Sequence, residues 1–133
     1  MFAVLQLGAC GSGSVSIKDA PAACASRPSG HLEVYVPDAR VVRVLGERYG
    51  RSGEHEGFII SACPRMTPCT REWTYLKVED NVDITGPIPL QPGDVVSLLG
   101  QLECSDAVIH WTHHDPHGRH PSGYVKVNGR VYE

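Results

Sequence analysis

Histidine is the residue whose placement in this chain points to chemistry. Five of the seven histidines fall in the run His110-Trp-Thr-His-His-Asp-Pro-His-Gly-Arg-His120, and His55 stands ahead of an apolar stretch further upstream. A neutral imidazole is a ligand for borderline divalent ions, and because it changes charge near neutral pH it also serves as general base and general acid. The signal is density rather than pattern, since the run holds no His-Glu-x-x-His helix and no paired Cys-x-x-Cys. His110, His114 and His120 with the Asp115 carboxylate form a ligand set suited to zinc or manganese. His55 and His113 then supply the acid and the base. Arg119 is the planar cation for a phosphate or carboxylate, and Asp83 adds a carboxylate if its loop folds over the same rim. A plainer role stands beside each of these: His117 and His113 suit a solvated loop, Asp115 a turn cap, and Trp111 a structural anchor.

Such residues act only if the backbone gathers them. If His110 and Thr112 share one side of a strand, Trp111 faces the other side and anchors the strand in the core or against a neighbouring loop. Asp115-Pro116 ends that strand, which leaves His113 and His114 at a rim, and Gly118 lets the chain return His120 to it.

The rest of the sequence is consistent with strands. Fourteen glycines and ten prolines in 133 residues punctuate short elements, and 41% hydrophobic content fills one core. Alternating β-branched residues from Leu32 to Leu45 predict two short strands or one bent strand around Pro37-Asp38. Further strands are expected at 57–62, 73–78, 95–99 and 107–112, and Asn128-Gly129 predicts a type I′ hairpin between 124–127 and 130–132. Residues 80–90 hold too many Pro and Gly residues for a helix. The expected fold is all-β, a small OB-like barrel over residues 31–133, preceded by a flexible tether or signal remnant over residues 1–30.

A net charge of −3 excludes the broad basic surface of a protein that coats nucleic acid. It leaves open nucleic acid as a transient substrate, or a small anionic ligand. No stretch reaches the roughly 20 apolar residues of a membrane span. Leu7-Gly8-Ala9-Cys10 resembles a lipobox with Cys10 as the lipid anchor; only nine residues precede it and none is basic, so either a start lies further upstream or the match is chance. Five cysteines suit an oxidising compartment, with Cys63 and Cys69 as the expected pair. A periplasmic or secreted location follows, with a cytoplasmic one left open.

From about Asp38 to Glu133 the chain resembles the bacterial DUF3465 family. The resemblance rests on Val108-Ile-His-Trp-Thr-His-His-Asp-Pro116, Gly118-Arg-His120, Gly123-Tyr124, Asn128-Gly129 and Tyr132. His55, Phe58, Asn81-Val-Asp83, Ile88-Pro-Leu90 and Gly93-Asp94 support it. Where the family pattern has a histidine before the asparagine and an arginine before the isoleucine, this chain has Asp80 and Pro87. The resemblance implies a compact, often exported β domain of OB type and supplies no activity. The residues themselves support a metal-dependent phosphodiester hydrolase, a small nuclease. The alternatives are a non-catalytic metal- or anion-binding module of the cell envelope or periplasm, and a hydrogen-bonded structural plug.

Overall fold

The computed structural model describes residues 13–50, 53–62 and 75–133. In chain order its elements are β1 (Val15–Ser16), a 3-10 turn (Ile17–Asp19), α1 (Ala20–Ser26), β2 (His31–Gly50), β3 (Gly53–Ser61) and β4 (Tyr75–Asn81). They continue with α2 (Val82–Thr85), β5 (Val95–Glu103), β6 (Val108–His110), β7 (Tyr124–Val127) and β8 (Arg130–Tyr132).

Five strands form a ring: β2 pairs with β3, β3 with β4, β4 with β6, β6 with β5, and β5 returns to β2. Within the ring only β4 and β6 run parallel. The protein is therefore all-β and barrel-like, as the strand pattern predicts. β2 serves two neighbours, pairing first with β5 and then with β3. The register shift between Val36 and Ala39, with Asp38 at φ 46°, bends it at the Pro37-Asp38 step. One bent strand is the outcome.

Strand alternation builds the interior. Phe58 and Ile60 from β3, Leu76 and Val78 from β4, and Val96, Leu98 and Leu102 from β5 are fully buried. Each such side chain contributes roughly 1.5–3 kcal/mol by leaving water. The β7–β8 hairpin turns at Asn128 and Gly129, both at positive φ (49° and 92°), as a type I′ turn requires.

Two expectations need correction. The tether does not extend through residues 15–30. Val15 and Ser16 pair in parallel with Val34 and Tyr35, and Ile17, Ala20 and Cys24 join the core. A disulfide ties Cys24 to Cys104, with Cα atoms 5.4 Å apart. The alanine-rich run favours a helix, and Pro21 lies in its first turn, where a missing N–H costs little. Within the segment expected to lack helix, residues 82–85 make one helical turn. The Asn81 side chain caps it by accepting the Asp83 N–H at 3.0 Å, and Gly86 ends it at φ 76°. Pro87 and Pro89 lie past its end and do not oppose it. Cys10, Cys63 and Cys69 lie outside the described residues. Among those described, no helix is long and apolar enough to cross a membrane.

Candidate functional site

The ring topology delivers residues from distant parts of the sequence to one end of the barrel. His55, near the start of β3, is the register partner of Asn81 at the end of β4. Because β6 runs parallel to β4, its last residue, His110, emerges at the same end. The chain from Trp111 to Gly123 then folds across, and a cleft of about 510 Å³ opens between these pieces. His55, Asp83, His110, His113, Arg119 and His120 line it, and Asp115 forms part of its wall. Of the expected site residues only His114 is not brought in; it is exposed and does not line the cleft. His117, whose plainer role was a solvated loop, does line it.

The expected metal ligands do not assemble. Among the described residues no three His, Cys, Asp or Glu side chains form a group that could hold a metal ion. The Asp115 carboxylate is already engaged: it accepts the backbone N–H of His117 at 2.9 Å and those of Arg119 and His120. This is the turn-capping use of a short acidic side chain. Loss of water pushes its carboxyl upward, but the N–H donors of His117 and His120 and the nearby imidazoles outweigh this and hold it below the usual range. Gly118, at φ 67°, gives the capped loop its reversal. His120 is wedged rather than presented. Its Nδ1 lies 2.8 Å from the Pro121 carbonyl oxygen, its ring stacks on Trp111 at 4.2 Å, and it meets the edge of His113 at 5.2 Å.

Trp111 is at φ 55°, a left-handed backbone that costs a bulky residue about 1–3 kcal/mol unless the surroundings enforce it. The stack on His120 is one such constraint. The other is Gly123, whose N–H donates to the His113 carbonyl at 2.8 Å and where a Cβ would collide with the carbonyls of Leu99 and Trp111. Trp111 is 40% exposed, so it braces the strand against the loop and not in the core.

Beneath the cleft lies a polar layer. The Thr112 hydroxyl donates to Asp80 Oδ1 at 2.8 Å and the Thr85 hydroxyl to Asp80 Oδ2 at 2.5 Å. Asp80 is fully buried. Desolvation raises its carboxyl above the usual range, opposed by the two hydroxyls and by the nearby rings of His113 and His55. Glu56, its register partner on β3, accepts the Ile88 N–H at 2.9 Å. Burial pushes Glu56 up to about 7 against that hydrogen bond, and Asp80, Glu47 and Glu54 add repulsion. The site reading of the sequence missed both acids, although alternation could have found them. Asp80 continues the inward series Leu76, Val78, and Glu56 precedes Phe58 and Ile60 on the same face.

Three histidines share one hydrogen-bonding habit. His55 Nδ1 lies 3.1 Å from the Gly53 carbonyl oxygen and His113 Nδ1 lies 2.6 Å from that of His114, as His120 Nδ1 does from Pro121. A nitrogen facing a carbonyl must carry the hydrogen, which leaves Nε2 as the basic nitrogen of the neutral ring. A second cavity of about 330 Å³ adjoins the first, and His55, Glu79 and His110 line both. Burial raises the Glu79 carboxyl, but Arg48 at 2.6 Å and Lys77 at 3.3 Å more than offset this and hold it low.

Fold and site together define a small barrel-like β domain with a histidine-lined cleft where the parallel strands β4 and β6 end. The chain belongs to the DUF3465 family, described as a protein of unknown function, whose model matches residues 31–133. That span contains the whole ring and every cleft residue but not α1. No curated protein and no solved structure gives a match.

Proposed function

We propose that the cleft is the active site of a phosphodiester hydrolase of the small-nuclease type, working by proton transfer between imidazoles. His55, His110 and His113 move protons, and Arg119 stabilises the negative charge that develops on phosphorus-bound oxygens. The observation that carries this reading is the convergence of imidazoles from β3 and β6 with an arginine in one cleft. Asp80, held by the Thr85 and Thr112 hydroxyls, fixes the polar layer on which the cleft rests. The sequence-based expectation of a metal-dependent reaction finds no ligand set among the described residues, so no step is assigned to an ion.

The test is cleavage of a mixed pool of labelled RNA and DNA oligonucleotides by the full chain and by His55→Gln and His110→Gln, with and without EDTA. Turnover lost in both variants supports the reading; an intact, folded protein that cleaves no phosphodiester removes it. A non-catalytic anion-binding module is the second reading, favoured by the locked stacking of His120 between Trp111 and His113. It predicts retention of inorganic phosphate or an oligonucleotide without turnover.

A further inference from the structure

We infer that the substrate is single-stranded RNA laid along both cavities, with the scissile phosphate at the junction between His55 and His110. This rests on the phosphodiester reading of the cleft. His55 and His110 are the imidazoles common to the two cavities, and both are partly exposed whereas His113 is 5% exposed. A phosphate at the junction therefore reaches these two rings first.

Each cavity also offers an aromatic side chain. Tyr49, 83% exposed near the end of the β2–β3 hairpin, lines the smaller one, and Trp111, stacked on His120 and 40% exposed, lines the larger. Exposed aromatic rings flanking a phosphate site suit the unstacked bases of a single strand, because every base has a face to stack. A duplex keeps its bases stacked on each other and offers no such faces. Arg119 in the larger cavity supplies the cationic group along the path, while Arg48 in the smaller is paired with Glu79 at 2.6 Å and offsets that carboxylate, which lines both cavities.

The choice of RNA over DNA follows from the nucleophile. Two imidazoles at one junction suit an attacking oxygen that is already in place, and the ribose 2′-hydroxyl is held beside the phosphorus by its own sugar. His55 Nε2 takes the 2′-hydroxyl proton as the 2′-oxygen-to-phosphorus bond forms. The bond from phosphorus to the 5′-oxygen breaks, and that oxygen takes a proton from protonated His110. The products are a 2′,3′-cyclic phosphate and a 5′-hydroxyl end. His55 then returns its proton to solvent and His110 regains one, so no metal, oxidant or second substrate enters the balance.

The experiment uses the full chain in EDTA with three labelled 12-mers of one sequence: all RNA, all DNA, and DNA with a single central ribonucleotide. The expected result is cleavage of the RNA, cleavage of the chimera only after its ribonucleotide, and cyclic-phosphate ends by mass spectrometry. Tyr49→Leu is expected to raise KM by roughly 5- to 150-fold, the range of base stacking, without unfolding a residue so exposed. Cleavage of the DNA, or 5′-phosphate products, would overturn this inference and leave the phosphodiester reading standing. Cleavage of none of the three, in EDTA or without it, would remove both. An unchanged KM for Tyr49→Leu would overturn the two-cavity path.

Discussion

Replacing Glu56 by glutamine is expected to make the protein more stable at pH 8 while changing it little at pH 5. Glutamine keeps a side-chain oxygen for the Ile88 N–H, which lies 2.9 Å from Glu56 Oε1, and removes only the ionisation. Desolvation raises the Glu56 carboxyl from 4.5 to about 7, with Asp80, Glu47 and Glu54 adding repulsion. The folded state thus holds this proton more tightly than the unfolded chain. The associated stability is fully present below about pH 4.5 and is lost as pH rises through about 7. At 1.36 kcal/mol per pH unit the loss would be about 3 kcal/mol, and screening by water in the neighbouring cleft reduces it to about 2 kcal/mol. Urea unfolding followed by tryptophan fluorescence, for both proteins at pH 5 and pH 8, gives the double difference, in which contributions common to both chains cancel. A double difference below about 0.5 kcal/mol, with unchanged urea dependence, would refute the assignment of a buried, proton-holding Glu56.

Other outcomes follow from the same structure. Thr112→Val removes a hydroxyl donor from buried Asp80 and is expected to destabilise by about 1–3 kcal/mol in urea; an unchanged midpoint would mean that Asp80 has other means of satisfaction. Gly123→Ala forces a Cβ into the Leu99 and Trp111 carbonyls and is expected to cost at least about 2 kcal/mol, with changed near-ultraviolet dichroism as Trp111 shifts. The Cys24→Ala/Cys104→Ala chain loses closure of a loop with sequence separation 80, worth about 4.5 kcal/mol on the chain-entropy account, which comparison with the oxidised protein measures. Elemental mass spectrometry of untagged protein should find less than stoichiometric transition metal, and EDTA should leave turnover intact. A stoichiometric ion lost in His114→Ala would restore the ligand set expected from sequence.

Much of the barrel was legible because its strands alternate. The apolar residues of β3, β4 and β5 repeat every second position, and Asn128-Gly129 carries its turn type in its residue identities. The position of the cleft was legible for a related reason: the Asp115-Pro116 stop and Gly118 both appear as local signals. Ligand convergence was not, because whether Asp115 meets an ion or caps its own loop depends on where three backbone N–H groups point, and sequence spacing does not fix that. The partner of Cys24 was also hidden, since it lies 80 residues away across a ring closure. Asp80 and Glu56 were readable in principle, but a charged residue on an inward position is easily taken for the end of a strand.

The Cys24–Cys104 bond gives the protein a particular mechanical character. Cys104 opens the turn that leads into β6, and His110 closes that strand. Tension drawn through the chain upstream of Cys24 would first peel the two-residue pairing of β1 from β2 and then pass across the sulfur bridge directly into the β5–β6 turn. Residues 25–103 are bypassed, so β2, β3, β4 and β5 feel little of the pull while the bridge holds. The load falls instead on β6 and on the loop that follows it, the wall of the cleft that carries His110 to His120, and reduction of this bridge would return part of that load to β2–β5.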